Sequence, residues 1–78
     1  MNDKELMSII RDIVEEITGV KHLTPDTDFV KDLALNSFDI ANLVCAFERR
    51  FDKEIAMRDA WTLATVQDVM TYIKANAL

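Results

Sequence analysis

Residues 36–51 read Asn-Ser-Phe-Asp-Ile-Ala-Asn-Leu-Val-Cys-Ala-Phe-Glu-Arg-Arg-Phe. Asn36 with Asp39 three positions on is a helix-capping pattern, and it opens an apolar run of Phe38, Ala41, Val44, Cys45, Phe47 and Phe51 at helical spacing. The pattern predicts a helix over about residues 37–50. Everything else in the chain is arranged around it.

Upstream, Leu6, Ile9, Ile10, Ile13, Val14 and Ile17 fall at the i, i+3, i+4, i+7 positions of an amphipathic helix. Asn2 with Glu5 resembles a capping box at its start, and Gly19, the only glycine, stands where a helix needs a left-handed stop. Between the two helices, Thr24-Pro25-Asp26-Thr27-Asp28 is turn-rich and without period, and Phe29, Val30, Leu33 and Leu35 follow it. The expectation is a long loop pinned to the core by its own apolar side chains. Loops longer than about 12 residues in small domains are usually functional or disordered, and the apolar anchors argue against disorder.

Downstream, Asp52 to Ala56 breaks the pattern, Met57 to Trp61 suits one short helical turn, and Thr65 with Asp68 caps a last helix bearing Val66, Val69, Met70 and Ile73. The expected fold is all-α, a small bundle of three main helices plus one short helix. No internal repeat or low-complexity tract interrupts it, so residues 1–78 read as a single domain. A chain that begins at Met1 without linkers reads as standalone.

Composition narrows the function. Seventy-eight residues can bury only about 60% of their unfolded surface, enough for one small core and not for a deep catalytic pocket as well. One cysteine excludes an internal disulfide, and with one histidine it leaves no four-ligand zinc set of soft donors. The net charge of −5 and a pI near 4.6 oppose binding to nucleic acid, since the nine basic residues are scattered. No apolar run approaches the roughly 20 residues of a membrane span, and the start lacks a secretory signal, so a cytoplasmic location is expected.

Catalytic chemistry is not visible. A nucleophilic serine would want a Gly-rich elbow and a histidine base, whereas Ser37 has no flanking glycine and His22 reads as a solvated loop residue. Asp26, Asp28 and Asp32 fail as a calcium loop because Val30, Lys31 and Ser37 stand where ligands, the turn glycine and the bidentate Glu belong. Cys45 reads as core packing and Trp61 as an aromatic at the core edge. Ser37 is different: a hydroxyl at a helix N-terminus after a long loop can carry a phosphate that meets free backbone N–H groups and the positive end of the helix dipole. The plain alternative is an ordinary first-turn serine.

With those residues in view, the sequence resembles an acyl carrier protein over almost its whole length. The match runs through the first helix, Thr24-Pro25-Asp26, Phe29, Asp32-Leu33, Asn36-Ser37-Phe38-Asp39, Phe47-Glu48, Phe51, Glu54-Ile55, Thr65-Val66 and Tyr72-Ile73. The family's Asp-Ser-Leu motif aligns its serine with Ser37. The resemblance implies that a phosphopantetheinyl transferase moves 4′-phosphopantetheine from coenzyme A onto Ser37, and that the arm's thiol carries an acyl group as a thioester. It implies a monomeric carrier and not an enzyme, served by an acyl-loading ligase or acyltransferase and by synthase enzymes of fatty acid, polyketide or related biosynthesis. Asn36, Phe38, Asp39 and Glu48 are the implied partner-recognition residues. No metal is implied.

Three departures bear on that reading. Asn36 stands for the family's Asp, Phe38 for its Leu, and Ala41, Asn42, Arg49 and Arg50 make the second helix less acidic than usual. Phe after the serine also occurs in aminoacyl and D-alanyl carriers, the alternative cargo class. The departures point to dedicated partners. Phe29, Phe47, Phe51, Trp61 and Met70 are expected to line or fill the space among the helices, favouring short or polar cargo kept outside it. An unmodified helical protein-interaction domain is the alternative from another class.

Overall fold

The computed structural model describes residues 2–76. Four helices follow in order: α1 (Asp3–Thr18), α2 (Ser37–Phe51), α3 (Met57–Ala60) and α4 (Val66–Asn76). Among the described residues the one extended pairing is an isolated bridge between Asp28 and Thr65. The expected all-α bundle of three main helices and a short one is therefore what the chain forms.

Each long helix starts as its sequence predicts. Asn2 Oδ1 accepts from the Glu5 N–H at 2.8 Å, and Gly19 closes α1 at φ 79°, a conformation that costs glycine little. At α4, Thr65 Oγ1 accepts from the Asp68 N–H while Asp68 Oδ2 accepts from the Thr65 N–H, both at 3.1 Å. Leu6, Ile10 and Val14 of α1 are fully buried against Val66 of α4 and the inner face of α2. Burying each such side chain contributes about 1.5–3 kcal/mol, so these few residues carry much of the fold.

The face of α2 differs from the expected one. Leu43, Val44 and Phe47 are buried, whereas Cys45 is exposed and Phe38 is 73% exposed. At about 100° per residue, Cys45 lies roughly 200° and Phe38 roughly 180° around the helix from Phe47. The run had merged two stripes: Ile40, Leu43, Val44, Phe47 and Phe51 face inward, while Phe38, Ala41 and Cys45 lie along the opposite side. Trp61, expected at the core edge, is 56% exposed because its neighbour Ala60 takes the inward position.

The loop between α1 and α2 is pinned, as expected, through Phe29, with Leu33 and Leu35 packed more loosely, and Leu23 is a further buried anchor that the sequence reading did not name. Val30 is the exception and points outward. What the sequence did not announce is how the loop is stitched to α4. Phe29 N–H donates to the Ala64 carbonyl at 3.0 Å, and the Val66 and Gln67 N–H groups donate to Thr27 and Pro25 carbonyls at 3.0 and 2.9 Å. Those two are first-turn donors of α4 that have no partner within their own helix.

Asp28 folds the end of the loop into a single turn. Its Oδ1 accepts from the Val30 and Lys31 N–H groups at 2.9 and 2.8 Å, and Asp32 Oδ2 accepts from the Asp28 N–H at 2.8 Å. The Lys31 N–H is the largest influence on the Asp28 carboxyl; burial opposes it, and with the Val30 N–H and the Lys31 charge added the carboxyl is held below its ordinary range. Ala34 ends the turn at φ 54°, its N–H donating to the Val30 carbonyl at 3.0 Å, and the chain then enters α2.

Candidate functional site

Asn36 sits in extended backbone (φ −93°, ψ 178°) immediately before α2. Its Oδ1 accepts from the Asp39 N–H at 2.9 Å, and Asp39 Oδ2 accepts from the Asn36 N–H at 3.4 Å. This reciprocal box fixes the direction in which the helix begins. Ser37 is its first residue, exposed, and among the described residues no hydrogen bond engages its hydroxyl. The Ser37 and Phe38 N–H groups are first-turn donors with no partner inside the helix, and they lie at its positive end.

The predicted partner-facing residues divide. Asn36, Ser37 and Phe38 lie together at the exposed start of α2, and Phe38, Ala41 and Cys45 continue down the same side of the helix. Asp39 is committed in part to the capping box. Glu48 is further occupied: its Oε2 accepts from the Ile55 N–H at 2.7 Å, tying α2 to the segment before α3. Local spacing gave no signal of that bond, because its partners are seven residues apart across a helix end. Arg49 and Arg50 are exposed in the last turn, suited to the helix's negative end.

Behind α2 lies an apolar cavity of about 40 Å³. Phe29, Ile40, Phe47, Ile55, Leu63 and Tyr72 are among its walls. Of the aromatics expected there, Phe29 and Phe47 line it, Phe51 faces a neighbouring groove, Met70 packs in the core and exposed Trp61 stands apart. Tyr72 is the aromatic the sequence reading passed over. Its hydroxyl donates to Asp59 Oδ2 at 3.1 Å, and burial, followed by that carboxylate, pushes the phenol above its usual range.

The groups at the exposed start of α2 are few. The nearest resources are a free hydroxyl, two free N–H groups and a helix dipole, which suit a covalently attached phosphodiester whose charge needs no pocket. Among the described residues no cluster of His, Cys, Asp or Glu is placed to hold a metal.

Comparison with known proteins agrees. The family described as "Phosphopantetheine attachment site" matches residues 8–73. An acyl carrier protein of Trieres chinensis is 40% identical over 75 residues, covering 94% of both chains. One from Akkermansia muciniphila is 37% identical over 76 residues, covering 95% of both. Two solved structures assigned as acyl carrier proteins share the fold. The one from Mycobacterium tuberculosis superposes with a TM-score of 0.83 at 28% identity, covering 90% of this chain and 96% of that one. The one from Anaplasma phagocytophilum gives 0.86 at 29% identity, covering 100% and 94%. The match to the attachment family over most of the chain, with relatives this similar end to end, places the chain among the acyl carrier proteins, which bear their cargo on 4′-phosphopantetheine.

Proposed function

We propose that Ser37 is the residue that bears the 4′-phosphopantetheine arm, and that the chain serves as a carrier while other proteins supply the catalysis. The observation that supports this most is the exposed, unengaged Ser37 hydroxyl at the first position of a long helix. In the loading step Ser37 Oγ loses its proton to a base of the transferase and bonds to the phosphorus next to pantetheine in coenzyme A. The diphosphate bond breaks and adenosine 3′,5′-bisphosphate leaves. Once attached, the arm supplies a thiol that holds acyl groups as thioesters. The chain's own contribution is placement: the Asn36–Asp39 box fixes the helix start, and the Ser37 and Phe38 N–H groups face the new negative charge.

The partners on this reading are a phosphopantetheinyl transferase, an acyl-loading ligase or acyltransferase, and synthase enzymes that take the cargo onward. Tethering gives each of them the substrate at high effective concentration, so brief contacts suffice. The side of α2 formed by Phe38, Ala41 and Cys45 is the surface offered to them, with Asn36 beside the arm. Because Glu48 and Asp39 are partly occupied and Arg49 and Arg50 are exposed, that surface is less acidic than the sequence of the family implies, which favours dedicated partners. We place the protein as a monomer in the cytoplasm; no described helix is long and apolar enough to cross a membrane.

The test is to incubate the apo protein with coenzyme A and a broad-specificity transferase and to weigh the intact product. The expected result is one added phosphopantetheinyl group on the wild type and none on Ser37→Ala. An unmodified wild type would favour the helical interaction domain, and a modified alanine variant would move the site elsewhere.

A further inference from the structure

Of the nine basic residues, only Arg49 and Arg50 are adjacent in the chain. Both are exposed in the last turn of α2. Among the described residues the one ion pair joins Lys74 to Asp3, so neither guanidinium has a carboxylate partner. Arg50 lies over the Phe51 ring, 5.8 Å from its centroid, a contact that steadies the group without using its N–H donors. Solubility does not call for the pair, because in a chain of net charge −5 two more cations bring the charge nearer to zero.

The two arginines border an open groove of about 290 Å³ between α1 and α2. Ile13, Ile17 and Ala46 give it a half-buried apolar lining, and Glu16 stands on its α1 side. Apolar surface left open beside unpaired arginines is the composition of a contact surface. The groove is also continuous with the side of α2 offered to partners. At about 100° per residue, Arg49 lies within roughly 20° of Phe38 around the helix, with Ala46 and Arg50 roughly 80–120° to one side. Arg49 is about 18 Å beyond Ser37 along the axis, so a partner seated on Phe38, Ala41 and Cys45 meets the groove at its edge.

We propose that this groove is a second docking surface, and that its occupant is an acidic amphipathic segment of an enzyme that works on the arm. Its Asp or Glu side chains meet Arg49 and Arg50, and its apolar side chains lie against Ile13, Ile17 and Ala46. Guanidinium groups present planar forks of donors that match carboxylates. A basic segment is repelled by both arginines, and a purely apolar one leaves them unpaired. Glu16 turns an incoming carboxylate away from α1 and toward α2. In naming an enzyme of the arm, the proposal rests on Ser37 as the attachment residue, and its test separates the two.

The probe is a helical peptide of about 14 residues, roughly four turns, with Leu on one side and Glu on the other, beside the same peptide with Lys for Glu. Each is titrated into the transferase-loaded protein and located by backbone amide NMR. The glutamate peptide is expected to shift Ile13, Ile17, Ala46, Arg49 and Arg50, and the lysine peptide to leave them in place. Arg49→Glu/Arg50→Glu should weaken the glutamate peptide by roughly tenfold or more, and the gap should narrow as salt rises. Should that variant not fold, as Tm would report, Arg49→Gln/Arg50→Gln is read instead and should weaken the peptide roughly threefold or more. Groove amides that stay in place with the glutamate peptide, or shift equally with the lysine peptide, overturn the proposal. So do groove shifts that follow protein concentration alone, the mark of a second copy of this chain, and an affinity that the variants leave unchanged. Intact mass separates the two readings: a wild type that gains no phosphopantetheinyl mass overturns the attachment at Ser37 and the partner class with it, whereas a loaded protein whose groove stays silent overturns this inference alone.

Discussion

Asn36 separates stability from recognition at a single position. Its Oδ1 caps α2, and Asp would cap it about as well while adding a negative charge beside Ser37. Asn36→Ala should lower stability by about 1 kcal/mol, and Tm by about 4–8 °C. Asn36→Asp should leave Tm nearly unchanged and alter kcat/KM for the transferase, which a thermal melt beside a loading assay would show. Asp28 is the residue-scale source of acid sensitivity. Its folded pKa lies below its unfolded one, so its stabilising contribution is present above the unfolded carboxylate range, near pH 4, and is lost as pH falls through the folded value. Tyr72 has the opposite sign: its phenol is raised, so its contribution is complete below pH of about 10 and is lost as pH rises through the folded value. Urea midpoints measured across pH should fall at both ends. Asp28→Asn should flatten the acid limb and Tyr72→Phe the alkaline one.

At the scale of elements, capping residues made the helices legible. Asn2, Gly19, Asn36 and Thr65 mark ends that the structure reproduces within a residue, because a cap is a local hydrogen bond between near neighbours. The inward face of α2 was less legible. Its sequence carries apolar residues on two sides, and spacing alone cannot say which side meets the core when both are periodic. The resulting assignment has a sharp test: Phe47→Ala should cost about 3–5 kcal/mol, whereas Phe38→Ala should stay within about 0.5 kcal/mol, as read by chemical denaturation. Comparable losses at the two positions would mean that the face is wrong. The long-range stitch from Phe29 to Ala64 was invisible in the sequence because backbone carbonyls and N–H groups carry no residue signature.

For the whole molecule, membership among the acyl carrier proteins suits the small core. A chain of 78 residues with a few fully buried side chains has stability for a scaffold, and the chemistry is placed on an arm that it holds out. The candidate site was legible to the extent that it is local: Ser37 and its cap occupy adjacent positions. The cavity behind it is built from α2, α4, the first loop and the α3 side, and only the fold brings those together. The net charge of −5 is likewise unevenly placed, with Arg49 and Arg50 exposed at the far end of the helix that begins at Ser37. The central claim is where the arm is attached, and the chain offers two serines, Ser8 on α1 and Ser37. The most direct measurement is fragmentation mass spectrometry of the transferase-loaded protein. The account predicts the phosphopantetheinyl mass on the fragment containing Ser37 alone; the same mass on the Ser8 fragment, or on no fragment, would contradict it.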